Sequence, residues 1–387
     1  MAPSLSEDGR HLVYLYADAK NHIGLSGIDL STMKPFFITL DGDDIYDYQW
    51  QTDGSVAFNV AMNWRWARGL YTYRFGDKFA AGINERDLTD IVSVLREDRS
   101  RMYVWYVAGG LHRMKGLALV DTDRPKPSGM GHLDDEFMVV RWVPAPPGEI
   151  LGWRADKTGQ VRIGITFHEG KRRVWTHAAD HEPWRELPYS WDHASIFGIG
   201  FDGKSLYIVD AEEGADTDAL RMYDIEAGQV GPVLFRDPDF SLEDAVLLSS
   251  RKDESVVGIR YSRDASTTHW FSERFVGYQK VIDAKLPGRV NHIVSWDTEE
   301  SRLVVATETD RQHRQYFLYT VGSGALSALP PASPWIDPAQ MQPMQTVRYK
   351  ARDGLQLQGY LTLPAKRADG AKPALVVMPH GGPWVRD

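Results

Sequence analysis

A short unit, in which a tight turn is followed by a strand, recurs along most of the 387 residues of this chain. Asp-Gly pairs favour such turns because glycine accepts a positive φ and aspartate bonds its own backbone. The run that follows each turn is rich in β-branched and aromatic residues, as strands are. Six copies of the unit begin at Asp8, Asp53, Asp98, Asp202, Asp253 and Glu299.

The spacing of these units predicts the architecture. Successive units start 45, 45, 104, 51 and 46 residues apart, so the step of 104 spans two repeats. We place the missing member at Pro147-Gly148-Glu149-Ile150-Leu151, where Pro-Gly supplies the turn. Repeats of about 40 to 50 residues with about four strands each are typical of a β-propeller. The sequence therefore predicts an all-β fold, a seven-bladed propeller of four-stranded sheets, over residues 1–335.

Composition excludes several classes of function. The net charge is −9, and acidic and basic residues are interspersed without a basic stripe, so we expect no nucleic-acid partner. No apolar stretch approaches the roughly 20 residues of a membrane span, so we expect no membrane partner. The lack of cysteine excludes disulfides and cysteine nucleophiles. We expect the chain as given to be cytoplasmic, or periplasmic if a signal segment precedes Met1.

The character of the sequence changes after the repeats. Residues 329–343 are rich in proline, which is excluded from central strands, so we place a linker at 336–344. The alternating segment around Asp353-Gly354 predicts a hairpin. Residues 374–378 are continuously apolar, which predicts a parallel strand covered on both faces, and they lead into His380-Gly381-Gly382-Pro383.

The segment from Arg352-Asp353-Gly354 to His380-Gly381-Gly382-Pro383-Trp384 resembles the start of the catalytic domain of the prolyl oligopeptidase family of serine peptidases. The similarity is greatest to its acylaminoacyl-peptidase and dipeptidyl-peptidase-like branch. In that family a propeller precedes the hydrolase domain, and this chain has the same order of parts. The resemblance implies that residues 345–387 are the N-terminal fragment of an α/β-hydrolase domain. It also implies that the propeller restricts access to short peptides or acyl-peptides. We expect no cofactor.

The glycines of this motif suit one part of acyl-transfer chemistry. Backbone N–H groups fixed before the reaction stabilise the charge that develops on the carbonyl oxygen, and glycine lets the backbone approach that oxygen closely. By resemblance, Gly381 and Gly382 are the oxyanion-hole candidates. His380 is expected to be structural, because the α/β-hydrolase order is Ser, then Asp or Glu, then His.

The nucleophile of such a site is not recognisable in this sequence. A Gly-x-Ser-x-Gly elbow is absent, and the nearest approach, Gly24-Leu25-Ser26-Gly27, lacks the spacing. We therefore assign no catalytic residue in this chain, expect the Ser-Asp-His triad to lie beyond residue 387, and expect the chain alone to be inactive.

Two groups of charged residues are candidates for substrate binding. Arg65 and Arg68 lie in an aromatic cluster that could bind a peptide carboxylate or pack between blades. Glu212 and Glu213 form an acidic pair that could hold a free amino terminus, as carboxylates of some relatives do, or simply be solvated. The segment Asp134-Asp135-Glu136 is a second acidic candidate of the same kind.

Metal binding and a purely structural role are the remaining hypotheses. His177 and His181 have metal-ligand spacing on a helix, but Trp175 and Pro183 indicate a blade connection, so we expect no metal. The acids between Asp41 and Asp47 lack the spacing of a calcium loop. A propeller enzyme with metal or quinone chemistry would need convergent ligands, which the sequence does not show. The alternative to a peptidase is a non-catalytic propeller that serves as a binding or scaffold module.

Overall fold

The computed structural model describes residues 3–17, 22–38, 43–62, 66–84, 88–107, 116–124, 138–212, 214–331, 335–365 and 372–379. Seven consecutive antiparallel sheets form a seven-bladed β-propeller, which confirms the predicted fold class. In each blade the strands follow one another in chain order from the channel outward.

The strands of blades 1 to 4 are β1 (Ser4–Leu5), β2 (His11–Ala17), β3 (Ile23–Asp29), β4 (Lys34–Ile38), β5 (Asp44–Thr52), β6 (Ser55–Met62), β7 (Trp66–Arg74), β8 (Ala81–Asn84), β9 (Leu88–Val94), β10 (Arg101–Val107), β11 (Gly116–Asp121), β12 (Val139–Val143), β13 (Glu149–Ala155), β14 (Val161–His168), β15 (Lys171–Thr176) and β16 (Arg185–Glu186). Those of blades 5 to 7 are β17 (Ala194–Ile199), β18 (Ser205–Asp210), β19 (Ala219–Asp224), β20 (Gln229–Phe235), β21 (Val246–Ser250), β22 (Ser255–Ser262), β23 (Ser266–Trp270), β24 (Val290–Trp296), β25 (Arg302–Glu308), β26 (Gln315–Thr320) and β27 (Ala325–Ala328).

Blade 6 departs from the predicted four strands, because it has only three, β21 to β23. Helix α1 (Glu273–Lys285) follows β23 directly. Its apolar residues Phe275, Tyr278 and Ile282 recur at helical spacing, and they pack into the cluster between blades 6 and 7. Helix α1 has 13 residues, and no helix in the described part of the chain is long and apolar enough to cross a membrane.

The tight turns occur where the repeats predict them, with one exception. Gly9 and Gly203 have φ of 70° and 68°, and Glu254 and Glu300 take the same left-handed conformation in turns that lack glycine. The turn predicted at Pro147-Gly148 was wrong. Gly148 leads into the inner strand of blade 4, and the turn after that strand begins at Asp156, whose carbonyl accepts the N–H of Gly159 at 2.9 Å.

Apolar packing between neighbouring blades forms the core. The described residues contain seven clusters of buried apolar side chains, one for each pair of adjacent blades. The ring closes without exchange of a strand, because blades 1 and 7 are each built from one continuous segment. The closing contacts include Thr298 N–H to the Glu7 carbonyl at 2.8 Å and Leu5 N–H to Ser295 Oγ at 3.0 Å.

The C-terminal segment lies outside the blades. Strands β28 (Met344–Lys350) and β29 (Gln356–Thr362) form a separate hairpin, as the sequence predicts. Residues 374–378 form no strand, in contrast to the prediction, and the side chains of Leu375 to Met378 are 75 to 83% exposed. A buried parallel strand needs neighbours on both edges and both faces, and the described residues supply none here.

Candidate functional site

The central channel of the propeller is the candidate functional site. It is surrounded by the inner strands β1, β5, β9, β13, β17, β21 and β24, and the turns that follow them lie at one end, which we call the turn-side mouth. The hairpin β28–β29 contacts the opposite end, where Asp264 accepts a hydrogen bond from Gln358 Nε2 at 2.5 Å and Asp310 accepts one from Met344 N at 2.8 Å. We call that end the hairpin-side mouth.

Two adjoining cavities occupy the channel. The larger, of about 760 Å³, is lined by residues of blades 2 to 6, and the smaller, of about 270 Å³, is lined by residues of blades 1, 2, 6 and 7. Trp50, Ser249 and Arg251 line both cavities. A volume in this range suits a short peptide or another small ligand.

Ion pairs span the turn-side mouth between blades that are not neighbours. Glu7 of blade 1 pairs with Arg99 of blade 3 and Arg251 of blade 6, and it lies 3.8 Å from Arg96 of blade 3. Lys157 of blade 4 pairs with Glu254 of blade 6 at 2.7 Å. These side chains reach across the channel, so they narrow this mouth.

Cations also line the larger cavity itself. Arg154 on β13 donates to the carbonyls of Trp153 at 2.9 Å and Ile196 at 3.2 Å, and burial lowers its pKa. Asp156 lines the same cavity, but its carboxylate is held by Arg162 at 2.9 Å. The part of the larger cavity next to the turn-side mouth, which we call the channel floor, is therefore positively charged, although the chain carries a net charge of −9.

Acidic residues lie toward the hairpin-side mouth. Asp47 on β5 and Asp90 on β9 sit in the first halves of the inner strands of two neighbouring blades. Burial raises the pKa of Asp47 and of Tyr46, and the charge of Asp90 raises both further. From the sequence, Asp47 was considered only as part of a possible calcium loop, and Asp90 was not singled out. The signal that was overlooked is an acid placed inside a strand of apolar and aromatic residues.

The hairpin-side end of blades 3 to 6 also exposes apolar side chains. Their exposed fractions are between 39 and 57% for Trp142, Leu151, Phe167, Leu234 and Val246. An apolar surface that extends over several blades indicates a face that binds another domain or another protein.

The structure describes only part of the predicted site. Gly381, Gly382, Arg65 and Glu213 lie outside the described residues, as does the segment Asp134-Asp135-Glu136, and of Arg68 only the backbone is described, in β7. Glu212 lies between β18 and β19, where it pairs with Arg236 at 2.5 Å and Arg221 at 3.1 Å. Hydrogen bonds from Arg236 and the charge of Arg221 lower the pKa of Glu212.

The two histidines considered for metal binding lie in the connection after β15. The ring of His177 stacks on Trp184 at 3.7 Å, its Nε2 lies 2.9 Å from the Val161 carbonyl, and burial lowers its pKa. Within the described ranges, no group of three or more histidine and acidic side chains is arranged to hold a metal ion.

Comparison with known proteins gives one sequence match and many fold matches. The chain is 28% identical over 208 residues to dipeptidyl aminopeptidase BIII of Pseudoxanthomonas mexicana. The aligned region covers 49% of this chain and 28% of that protein. No family profile matches the chain.

Solved structures share the fold over nearly the whole chain. A puromycin-hydrolyzing peptidase of Mycobacterium tuberculosis matches with a TM-score of 0.60 at 11% identity, over 92% of this chain and 57% of that one. A prolyl endopeptidase matches with a TM-score of 0.59 at 13% identity, over 93% of this chain and 53% of that one.

These findings confirm the resemblance to the prolyl oligopeptidase family, and the fold that the chain shares with the solved structures is a β-propeller. The chain spans 28% of the length of its sequence relative and little more than half of these solved structures.

Proposed function

We propose that this chain is the substrate-gating propeller of a serine peptidase that cleaves short peptides or acyl-peptides. The Ser-Asp-His triad of that enzyme would lie on residues that follow Asp387, and Gly381 or Gly382 would supply an oxyanion donor. The observation that carries the proposal is the 208-residue match to a dipeptidyl aminopeptidase.

The two faces of the propeller support this assignment. The hairpin β28–β29 packs against blades 6 and 7 on the face that also exposes Trp142, Leu151, Phe167, Leu234 and Val246. A hydrolase domain continuing from the hairpin would cover this apolar face and place its active site over the hairpin-side mouth. The exposed residues 374–378 would then become an inner strand of the hydrolase sheet.

The gating role follows from the ion pairs across the turn-side mouth and from the small volume of the channel cavities. The ion pairs of Glu7 cross the turn-side mouth, and the cavities behind them have volumes of about 760 and 270 Å³. A folded protein cannot enter such a space, whereas a short extended peptide can. In this arrangement Asp47 and Asp90, near the hairpin-side mouth, are suited to bind a peptide amino group.

Expression of the longer reading frame tests the proposal. We expect residues after Asp387 to contain Gly-x-Ser-x-Gly followed by Asp and His, and the longer product to react with a fluorophosphonate and hydrolyse peptide nitroanilides. The 387-residue chain should do neither. A stop codon after Asp387, or a longer product that is inert toward both reagents, would contradict the proposal and favour a non-catalytic binding module.

A further inference from the structure

The larger channel cavity has more cations than anions. Arg96, Arg154, Lys157 and Arg251 all line it, and Asp156 is the acid among the described lining residues. Lys157 is paired with Glu254 at 2.7 Å, so the three arginines account for the excess. Asp156 is committed elsewhere, because it accepts hydrogen bonds from Arg162 at 2.9 Å and from Thr158 Oγ1 at 2.5 Å.

Arg154 is the cation in this cavity that most clearly needs an anion. Its two hydrogen bonds go to backbone carbonyls, and among the described residues no carboxylate lies within 4.0 Å of its guanidinium group. A guanidinium group has five N–H donors, so most of its donors are not engaged by these two bonds. Removing a cation from water without a counter-charge is unfavourable, and burial lowers the pKa of Arg154 accordingly.

The adjoining arginines are also incompletely neutralised. Glu7 is shared by Arg96, Arg99 and Arg251, so three positive charges face one carboxylate. Carboxylates of the nearby turns do not make up the difference. Asp8 accepts hydrogen bonds from Ser6 and the backbone N–H of Arg10, and Asp98 accepts one from Ser100 and lies 3.2 Å from Arg101.

The rest of the wall suits a peptide better than an inorganic anion. Trp50, Trp105 and Ile91 present aromatic and aliphatic surface in the same cavity. The inner strands β9 and β13 have no neighbouring strand on the channel side in their sheets. The carbonyls of Thr89 and Ile91 on β9 already accept hydrogen bonds from Asn59 and Gln49, and the other backbone groups on these edges can bond an extended chain.

We infer that the channel binds the C-terminal carboxylate of a short peptide through Arg154 and Arg251. This inference rests on the proposed function, since it identifies the substrates as peptides with a free C-terminus. The cation-rich floor receives the carboxylate, and the amino end of the peptide points toward Asp47 and Asp90 at the hairpin-side mouth. Glu7 acts as an internal competitor, because its carboxylate already occupies the position next to Arg251.

Isothermal titration of the 387-residue chain with trialanine and with trialanine amide tests this inference. We expect the free acid to bind about 10-fold more tightly than the amide, since a charge-assisted bond to arginine is lost in the amide. Attraction by the overall charge of −9 would favour the amide, which has the more positive charge, so a preference for the acid reports the local site.

Three variants and one control define the site. Arg154→Gln and Arg251→Gln should each reduce the preference for the acid to about 2-fold or less. Glu7→Gln should strengthen binding of the acid about 3-fold, because it removes the competing charge. Arg311→Gln, at an exposed position in the turn between β25 and β26, should leave the preference unchanged. Thermal melting monitored by circular dichroism confirms that each variant is folded. If Arg154→Gln unfolds, the Arg251→Gln variant provides the second test.

Equal binding of acid and amide by the parent chain would overturn the inference. A preference that survives both arginine substitutions, or inorganic phosphate that binds as tightly as trialanine, would also overturn it. The test is independent of catalysis. A longer product that hydrolyses peptides while this chain does not distinguish acid from amide contradicts the inference alone. Discrimination by this chain together with an inert longer product contradicts only the peptidase proposal.

Discussion

Two apolar runs in this chain have similar sequences and opposite environments. On β25, residues 303–305 (Leu-Val-Val) are completely buried, with exposed fractions of 0%. Residues 375–377 (Leu-Val-Val) are 75 to 79% exposed. The first run is paired on both edges and packed against neighbouring blades, whereas the second has no strand partner among the described residues. The comparison shows that an apolar run becomes a strand only where its neighbours are supplied.

Truncation of the two leucines should give the largest difference between these runs. Leu303→Ala should reduce the free energy of unfolding by about 2–5 kcal/mol, because it leaves a cavity between blades 6 and 7. Leu375→Ala, the matched control, should change it by less than about 0.5 kcal/mol. Urea denaturation monitored by tryptophan fluorescence measures both values. Similar reductions of the free energy of unfolding in the two variants would contradict the difference between the runs.

The acid stability of the blades provides the next test. Burial and the positive charges of Arg260 and Arg314 together lower the pKa of His292 on β24 to about 4, although the charges of Glu308 and Asp283 oppose them. An unfolded histidine titrates near 6.5, so below that pH the unfolded chain binds a proton that the folded chain does not. Stability should therefore fall as the pH falls from about 6.5 to 4, with a contribution from His292 of at most about 3 kcal/mol.

Substitution isolates this contribution. His292→Gln should flatten the dependence of the unfolding free energy on pH between 4 and 6.5, and the exposed His181→Gln should not. If both variants kept the slope of the parent chain, His292 would not be held neutral in the folded blade.

The attachment of the hairpin should give the smallest effect. Asp264 is an exposed residue that accepts hydrogen bonds from Gln358 and Arg348, and such surface contacts contribute little to stability. Asp264→Ala should change the unfolding free energy of the propeller by less than about 1 kcal/mol while amide protection in β28 and β29 decreases. Asp216→Ala, at another exposed position, is the control. A large loss of propeller stability would show that the hairpin is part of the blade structure.

Much of the fold could be predicted because each turn is specified locally. The Asp-Gly turns at Asp8-Gly9 and Asp202-Gly203 mark the start of the second strand in their blades. Glu254 and Glu300 take the same turn conformation at the equivalent positions of blades 6 and 7 without glycine. The fourth turn was misplaced because the glycine of its turn, Gly159, lies three residues after Asp156 rather than next to it. The helix in blade 6 was missed although its helical spacing is visible, because a repeat of four-stranded blades was assumed.

The site was less predictable because it depends on contacts between distant segments. Glu7 meets Arg99 and Arg251 only when the ring closes, and no local pattern marks these residues. The positions of Asp47 and Asp90 in the first halves of two neighbouring inner strands became apparent only from the strand bounds. Glu212, which the sequence did single out, is neutralised by two arginines.

Hydrogen exchange at residues 375–378 tests most directly the claim that this apolar run is a strand of a hydrolase domain. In the 387-residue chain we expect these amides to exchange at rates close to those of an unfolded peptide, in contrast to the amides of β25. In the product of the longer reading frame we expect the same amides to be slowed on the order of 100-fold or more, as in a buried sheet. Rapid exchange in both proteins, or protection equal to that of β25 in the 387-residue chain, would contradict the account.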